Sequence, residues 1–151
     1  MAKVSIDELG AWVLKCNPKV TNVPSLLADR GRSIETWCVA DNYRSALFEA
    51  GQPVLFWVSG PARGKPEPGI WGRGLVTGPA RQVHGKYVVP VELELFDQPV
   101  SRTLIAGHGP LRGIEPIRQP VMSNPSYVTK AELAALEELA FLPETPAGIR
   151  R

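Results

Sequence analysis

Apolar and polar positions divide this chain into short hydrophobic runs separated by Pro- and Gly-rich breaks. The run at 11–16, Ala-Trp-Val-Leu-Lys-Cys, stops at Asn17-Pro18 and predicts a β-strand. Residues 24–31 predict a short helix that Ser25 caps and Gly31 ends. A second helix is expected over 41–51, with Asp41 as N-cap, Tyr43, Leu47 and Ala50 on one face, and Gly51 at its stop. The run at 53–59, Pro-Val-Leu-Phe-Trp-Val-Ser, is apolar without alternation, the pattern of a strand buried on both faces. Residues 60–69 read as a mobile loop. Residues 70–78 read as a strand whose internal glycines mark a bulge, or the close approach of another backbone or a ligand. From 87 to 96 the alternation is regular: Val91, Leu93 and Leu95 point inward, Glu92 and Glu94 outward, and Pro90 argues for an edge strand. Between 99 and 126, proline and glycine obscure any period. The strongest helix signal is 128–140, where Thr129 and Glu132 form a capping box and Leu133, Leu136 and Ala140 a stripe. The tail from 143 is expected to be disordered. With no internal repeat, these elements predict one α+β domain over residues 1–142, a strongly curved, barrel-like sheet flanked by short helices.

Composition narrows the function classes. The chain has 151 residues, 44% hydrophobic and 21% charged, an ordinary globular balance. Its apolar runs fall well short of the ~20 residues that cross a bilayer, and a membrane partner is not expected. The first ten residues lack the apolar core of a signal peptide, so the expected compartment is the cytoplasm, with Cys16 and Cys38 reduced. These cysteines and His84 and His108 lack zinc-ligand spacing, and no metal or cofactor is expected. The net charge of +2 conceals a gradient. Residues 59–91 carry Arg63, Lys65, Arg73, Arg81 and Lys86 against Glu67 alone, which suggests an anionic partner such as a phosphate backbone.

The chain contains no nucleophile elbow, P-loop or H-E-x-x-H, and Glu92 with Glu94 reads as a solvated face, so no catalytic residue is assigned. The four tryptophans fall between residues 12 and 71. Trp12 and Trp57 lie in apolar runs and are expected in the core. Trp37 and Trp71 lie at element ends, where pocket walls are built. A base stacked on such a ring gains roughly 1–3 kcal/mol. Asn17, Asn42, Ser59 and the backbone at Cys38 are candidates to read its edge.

The ordered set Trp-Val-Leu-Lys-Cys-Asn-Pro, Trp-Cys-Val-Ala-Asp-Asn-Tyr, Gly-Gln-Pro-Val-Leu-Phe-Trp-Val-Ser, Pro-Gly-Ile-Trp-Gly-Arg-Gly-Leu-Val and Ser-Tyr-Val-Thr-Lys-Ala-Glu-Leu resembles the EVE domains of the PUA-like superfamily. It is more distantly similar to YTH domains, which read N6-methyladenine in RNA. The resemblance spans about residues 10–140. It implies a PUA-like barrel that binds, without catalysis, a modified base flipped from DNA or presented by RNA. By position, Trp37 matches the pocket tryptophan, and Asn17 and the backbone near Cys38 match the groups that read the base edge. Asn42 and Tyr43 match the family's Asn-Tyr pair. Ser59 matches the serine closing the central strand, and Trp57 or Trp71 would supply a second aromatic wall. Lys15, Arg63, Lys65, Arg73, Arg81 and Lys86 are the expected phosphate contacts. The chain departs from the family pattern at Cys16-Asn17, at Asp41 where relatives carry arginine, and in the tryptophan-free loop 79–86. Two other functions are compatible with the residues. One is a small hydrolase of acylated nucleosides using Lys15; the other is a small-ligand or protein-interaction module reporting to an effector protein.

Overall fold

The computed structural model describes residues 4–18, 25–26, 33–61 and 63–140. Its centre is one curved, unclosed sheet of seven strands. The strands are β1 (Leu9–Cys16), β2 (Ser33–Cys38), β3 (Pro53–Val58), β4 (Gly69–Val76), β5 (Arg81–Val83), β6 (Lys86–Ser101) and β7 (Ser126–Thr129). Their order is β2-β6-β4-β3-β1-β7, with β5 paired to β6. β1 and β3 run parallel, with Lys15 opposite Trp57 and Cys16 opposite Val58.

The apolar runs at 11–16 and 53–59 become β1 and β3 because each feeds two cores. Trp12, Leu14, Cys16, Phe56 and Val58 point into the hollow of the sheet with Ile34, Val89, Val91, Leu93 and Leu95. Ala11, Val13, Leu55 and Trp57 point to the other face, under Ile105, Leu111, Ile114 and Leu136 of the helical segments. Period-2 side chains on a strand covered on both faces favour apolar residues at every position, hence the absence of alternation, with Lys15 the exception at the end of β1. β6 keeps its alternation, with Val91, Leu93 and Leu95 buried and Glu92 and Glu94 exposed.

The glycines of β4 answer to a neighbouring backbone. A Cβ on Gly74 would collide with the Glu92 carbonyl oxygen of β6, and one on Gly72 would stand 2.7 Å from that of Glu94. Pro90 does not mark an edge: β6 is flanked by β2 and β4. Pro90 faces Thr36 where the β2 register slips between Ile34 and Thr36, and a bulge is a place where a ladder tolerates proline. The loop 79–86 contains β5 and a tight hairpin instead of a plain loop. His84 and Gly85 both have positive φ (50° and 78°), as a two-residue turn matched to strand twist requires.

The helix expected at 41–51 is reduced to a single 3-10 turn, Ser45–Leu47. Asn42 is its organiser, not Asp41. The Asn42 Oδ1 accepts from the amides of Arg44 (2.9 Å) and Ser45 (3.3 Å), and the Ser45 hydroxyl donates to the Asn42 carbonyl at 2.9 Å. Local side-chain bonds of this kind compete with helix propagation. Phe48 then turns extended and enters the inner core, and Gln52 bonds the Leu47 carbonyl (3.0 Å) and accepts from the Trp12 indole (2.7 Å). The helix expected at 24–31 lies outside the described residues except for Ser25 and Leu26, and the tail from 143 lies outside them entirely.

The unassigned stretch 99–126 resolves into the end of β6, α1 (Arg102–Ala106), a 3-10 turn at Gly109–Leu111 and α2 (Glu115–Arg118). α3 (Lys130–Ala140) follows β7 and carries the predicted capping box. The Thr129 amide donates to Glu132 Oε1 (2.9 Å), and the Glu132 amide to Thr129 Oγ1 (3.2 Å). Arg44 and Glu115 tie the 3-10 turn to α2 by a buried two-pronged ion pair, 2.5 and 2.9 Å long. Arg44 also donates to the Pro125 carbonyl (3.2 Å) and stacks over Tyr127.

Candidate functional site

β2 stands at one end of the sheet among the described residues, and its geometry directs backbone polar groups outward. The Val39 amide donates to the Tyr87 carbonyl at 3.0 Å, so Val39 and Tyr87 form a hydrogen-bonded pair. Such pairs alternate in an antiparallel ladder. Cys38, opposite Val88, is therefore at a non-bonded position, and its N–H and C=O point off the sheet edge. Ala40 follows the same alternation, and its amide reaches the Asn124 carbonyl at 2.9 Å.

Asn124 also grips the far side of this seam. Its Oδ1 accepts from the Lys15 amide (2.7 Å) and its Nδ2 donates to the Lys15 carbonyl (2.9 Å). One side-chain amide thus extends the β1–β7 ladder by a residue. The Trp37 indole completes the junction, donating to the same Lys15 carbonyl at 3.2 Å. Trp37 is half-buried and meets the Phe56 ring edge-on at 4.9 Å.

A cavity of about 460 Å³ opens at this seam. The end of β1 supplies Lys15, Cys16 and Asn17; β2 supplies Thr36, Trp37 and Cys38; β6 supplies Lys86 and Val88; Asn124 closes it. A second hollow, about 640 Å³, adjoins it across Lys15, Asn17 and Asn124. Its walls include Trp57, Ser59, Arg102 and the segment Pro120–Ser123. Among the described residues neither hollow is lined by a carboxylate, whereas Lys15, Lys86 and Arg102 contribute cations.

Lys15 belongs to both hollows. Its ammonium donates to the Gln119 carbonyl at 3.2 Å. Burial lowers its pKa from the ordinary lysine value; Glu115 pulls it back up and Arg44 pushes it further down.

The structure gathers some of the sequence-derived candidates and separates others. Trp37, Asn17, Cys38, Lys15 and Lys86 share the first cavity. Trp57 and Ser59 belong to the second hollow. Trp57 packs on the helix-covered face, opposite the face that Trp37 covers, so it is not a second wall for a ring stacked on Trp37. Trp71 lies within β4, buried in the inner core, and its indole donates to the Glu67 carbonyl at 2.7 Å. Neither cavity includes it. Asn42 builds the 3-10 turn, and the Tyr43 hydroxyl accepts from the Val4 amide (3.0 Å), away from both hollows. Arg73 is buried and paired with Glu137 at 3.2 Å, which corrects its placement among surface phosphate contacts. Arg63, Lys65 and Arg81 are exposed and line neither hollow. Asn124 and Arg102 were not legible as site residues, because both fall in the stretch without periodicity.

No family model and no curated protein matches the sequence. Solved structures with the same fold do. A hypothetical protein from Leishmania major aligns with a TM-score of 0.66 at 18% identity, over 89% of this chain and 96% of its own. A protein from Rhodopseudomonas palustris aligns at 0.64 and 16%, over 94% and 100%. One from Pseudomonas syringae aligns at 0.62 and 18%, over 85% and 98%. At these identities the likeness establishes the fold, and the descriptions of the three name no activity.

Proposed function

We propose that this chain is a non-catalytic reader of a modified nucleobase, built on a PUA-like fold and acting on DNA or RNA. One observation carries the reading: Trp37 stands half-buried on the wall of a cavity whose lining combines an indole face, outward backbone groups at Cys38, the Asn17 amide, Lys15 and Lys86. A flipped base needs a stacking surface, edge-reading groups and cations for the flanking phosphates. The volume, about 460 Å³, falls in the range of small-ligand sites. Flipping costs a few kcal/mol, least in single strands or weakened pairs, and stacking with two or three hydrogen bonds offsets it.

The test is a titration of modified and unmodified oligonucleotides against wild type, Trp37→Ala and Trp37→Phe. Trp37→Ala should weaken binding by about 1–3 kcal/mol, roughly five- to 150-fold in Kd, and Trp37→Phe by less. Failure of every oligonucleotide to bind at about micromolar Kd in low salt would refute the reading. So would an unchanged Kd in Trp37→Ala. An acyl-hydrolase role would need a carboxylate working beside Lys15. Glu115 is the carboxylate whose charge reaches Lys15, and Arg44 holds both its oxygens, which favours binding over turnover. Incubation with acylated cytidines should accordingly leave them intact.

A further inference from the structure

The two hollows are not independent. They meet over the C-terminal end of β1, where Lys15, Asn17 and Asn124 line both. Cations follow one another along the route, from Lys86 through Lys15 to Arg102, and among the described residues no carboxylate lines either part. A path of one sign matches a polyanion whose charges recur at intervals better than a single anion. Each part alone has the volume of a small-ligand site, about 460 and 640 Å³.

We infer that the two hollows form one cleft for two consecutive nucleotides of a single strand, the modified base against Trp37, its neighbour in the Trp57 hollow, and the linking phosphate over Lys15. The inference rests on the reader function proposed above and adds to it a strand requirement and a neighbour preference. Trp37 and Trp57 stand on opposite faces of the sheet, so the ligand must bend over the end of β1. A stacked duplex cannot splay adjacent bases in that way, whereas an unpaired strand does so readily. The second hollow is equipped for a flat, partly apolar group. Val121 is 95% exposed at its rim, an apolar side chain left in water. Arg102 gives one of its five donors to the Gly60 carbonyl (2.7 Å), which fixes the guanidinium at the hollow's edge. A base seated there would cover Val121 and bring its phosphate to Arg102.

The test compares nucleoside monophosphates with dinucleotides by calorimetry. The probes are the monophosphates of N6-methyladenosine, 5-methylcytidine, adenosine and cytidine, each free and extended by one uridine on its 5′ or 3′ side. For the preferred base, one of the two extensions should bind about tenfold more tightly than the monophosphate. In Arg102→Gln and in Val121→Ser that ratio should fall toward one; Val121 is a surface position, so its variant does not put folding at issue. In Trp37→Ala both probes should weaken together. If monophosphates bind and neither extension improves on them by more than about threefold, the two-nucleotide cleft is refuted while the reader stands. The cleft is likewise refuted, and the reader kept, if Arg102→Gln and Val121→Ser both retain the full ratio. If no probe binds at all, both readings fall.

Discussion

Lys15 shows how a single position can be wrong for stability and right for a site. Its β1 neighbours are apolar and its side chain is 8% exposed, so folding removes an ammonium from water. Burial lowers its pKa below the ordinary 10.5. The unfolded chain therefore keeps the proton to higher pH than the fold does. Between the lowered value and 10.5 the unfolded state binds more protons, and stability rises with pH; below that window the charged lysine carries its full burial cost. Lys15→Met should thus be more stable than wild type at pH 7, and its advantage should shrink as pH approaches 10. Urea denaturation at both pH values checks this, and a pH-independent gap between the two proteins would contradict it. The same variant should bind oligonucleotides more weakly, the trade expected where a residue serves a ligand. Lys15 and Trp37 were visible in the sequence as a cation and a large ring beside turn residues. Asn124 was not, because its partner Lys15 is 109 positions away and nothing local marks it.

At the scale of elements, side-chain bonds decide where segments begin, stop and join. The capping box of α3 was legible because its two members lie three residues apart. Thr129→Ala should cost about 1 kcal/mol, read as a lower urea midpoint. The helix pattern at 41–51 misled because Asn42 binds the next turn and Arg44 is drawn into the ion pair with Glu115. No periodicity encodes either effect. Glu115→Gln should destabilise by about 3–5 kcal/mol, since it strands a guanidinium that is 1% exposed. Arg44→Met combined with Glu115→Leu should recover most of that loss, because an apolar pair leaves no buried charge. Asn124→Ala belongs to this scale too, since it removes the side-chain amide that holds the 120s segment to the end of β1. It orphans the Lys15 N–H, at about 1–3 kcal/mol, and leaves the Lys15 carbonyl with the Trp37 indole as its donor. A urea midpoint unchanged in that variant would show that the seam does not depend on Asn124.

At the scale of the whole molecule, the charge gradient was legible but its use was not. The basic middle of the chain holds Arg63, Lys65, Arg73, Arg81 and Lys86, yet the fold sends them to different places. Arg73 is paired with Glu137, Lys86 reaches the first cavity, and Arg102, from outside that segment, reaches the second hollow. Lys15, Lys86 and Arg102 line the hollows and would be the cations to neutralise a strand in the proposed cleft, whereas Arg63, Lys65 and Arg81 stand elsewhere on the surface. Counterion release turns that distinction into a number. For single strands log Kobs falls with log salt at about −0.7 per neutralised phosphate. Three contacts predict a slope near −2, and recruitment of all six cations a slope near −4. Lys86→Gln should make the slope shallower by about 0.7, and Arg81→Gln should leave it nearly unchanged. Titrations at four salt concentrations would measure all three slopes. A slope near zero would mean that binding neutralises no phosphate and would count against a strand in the cleft, because no counterions would be released.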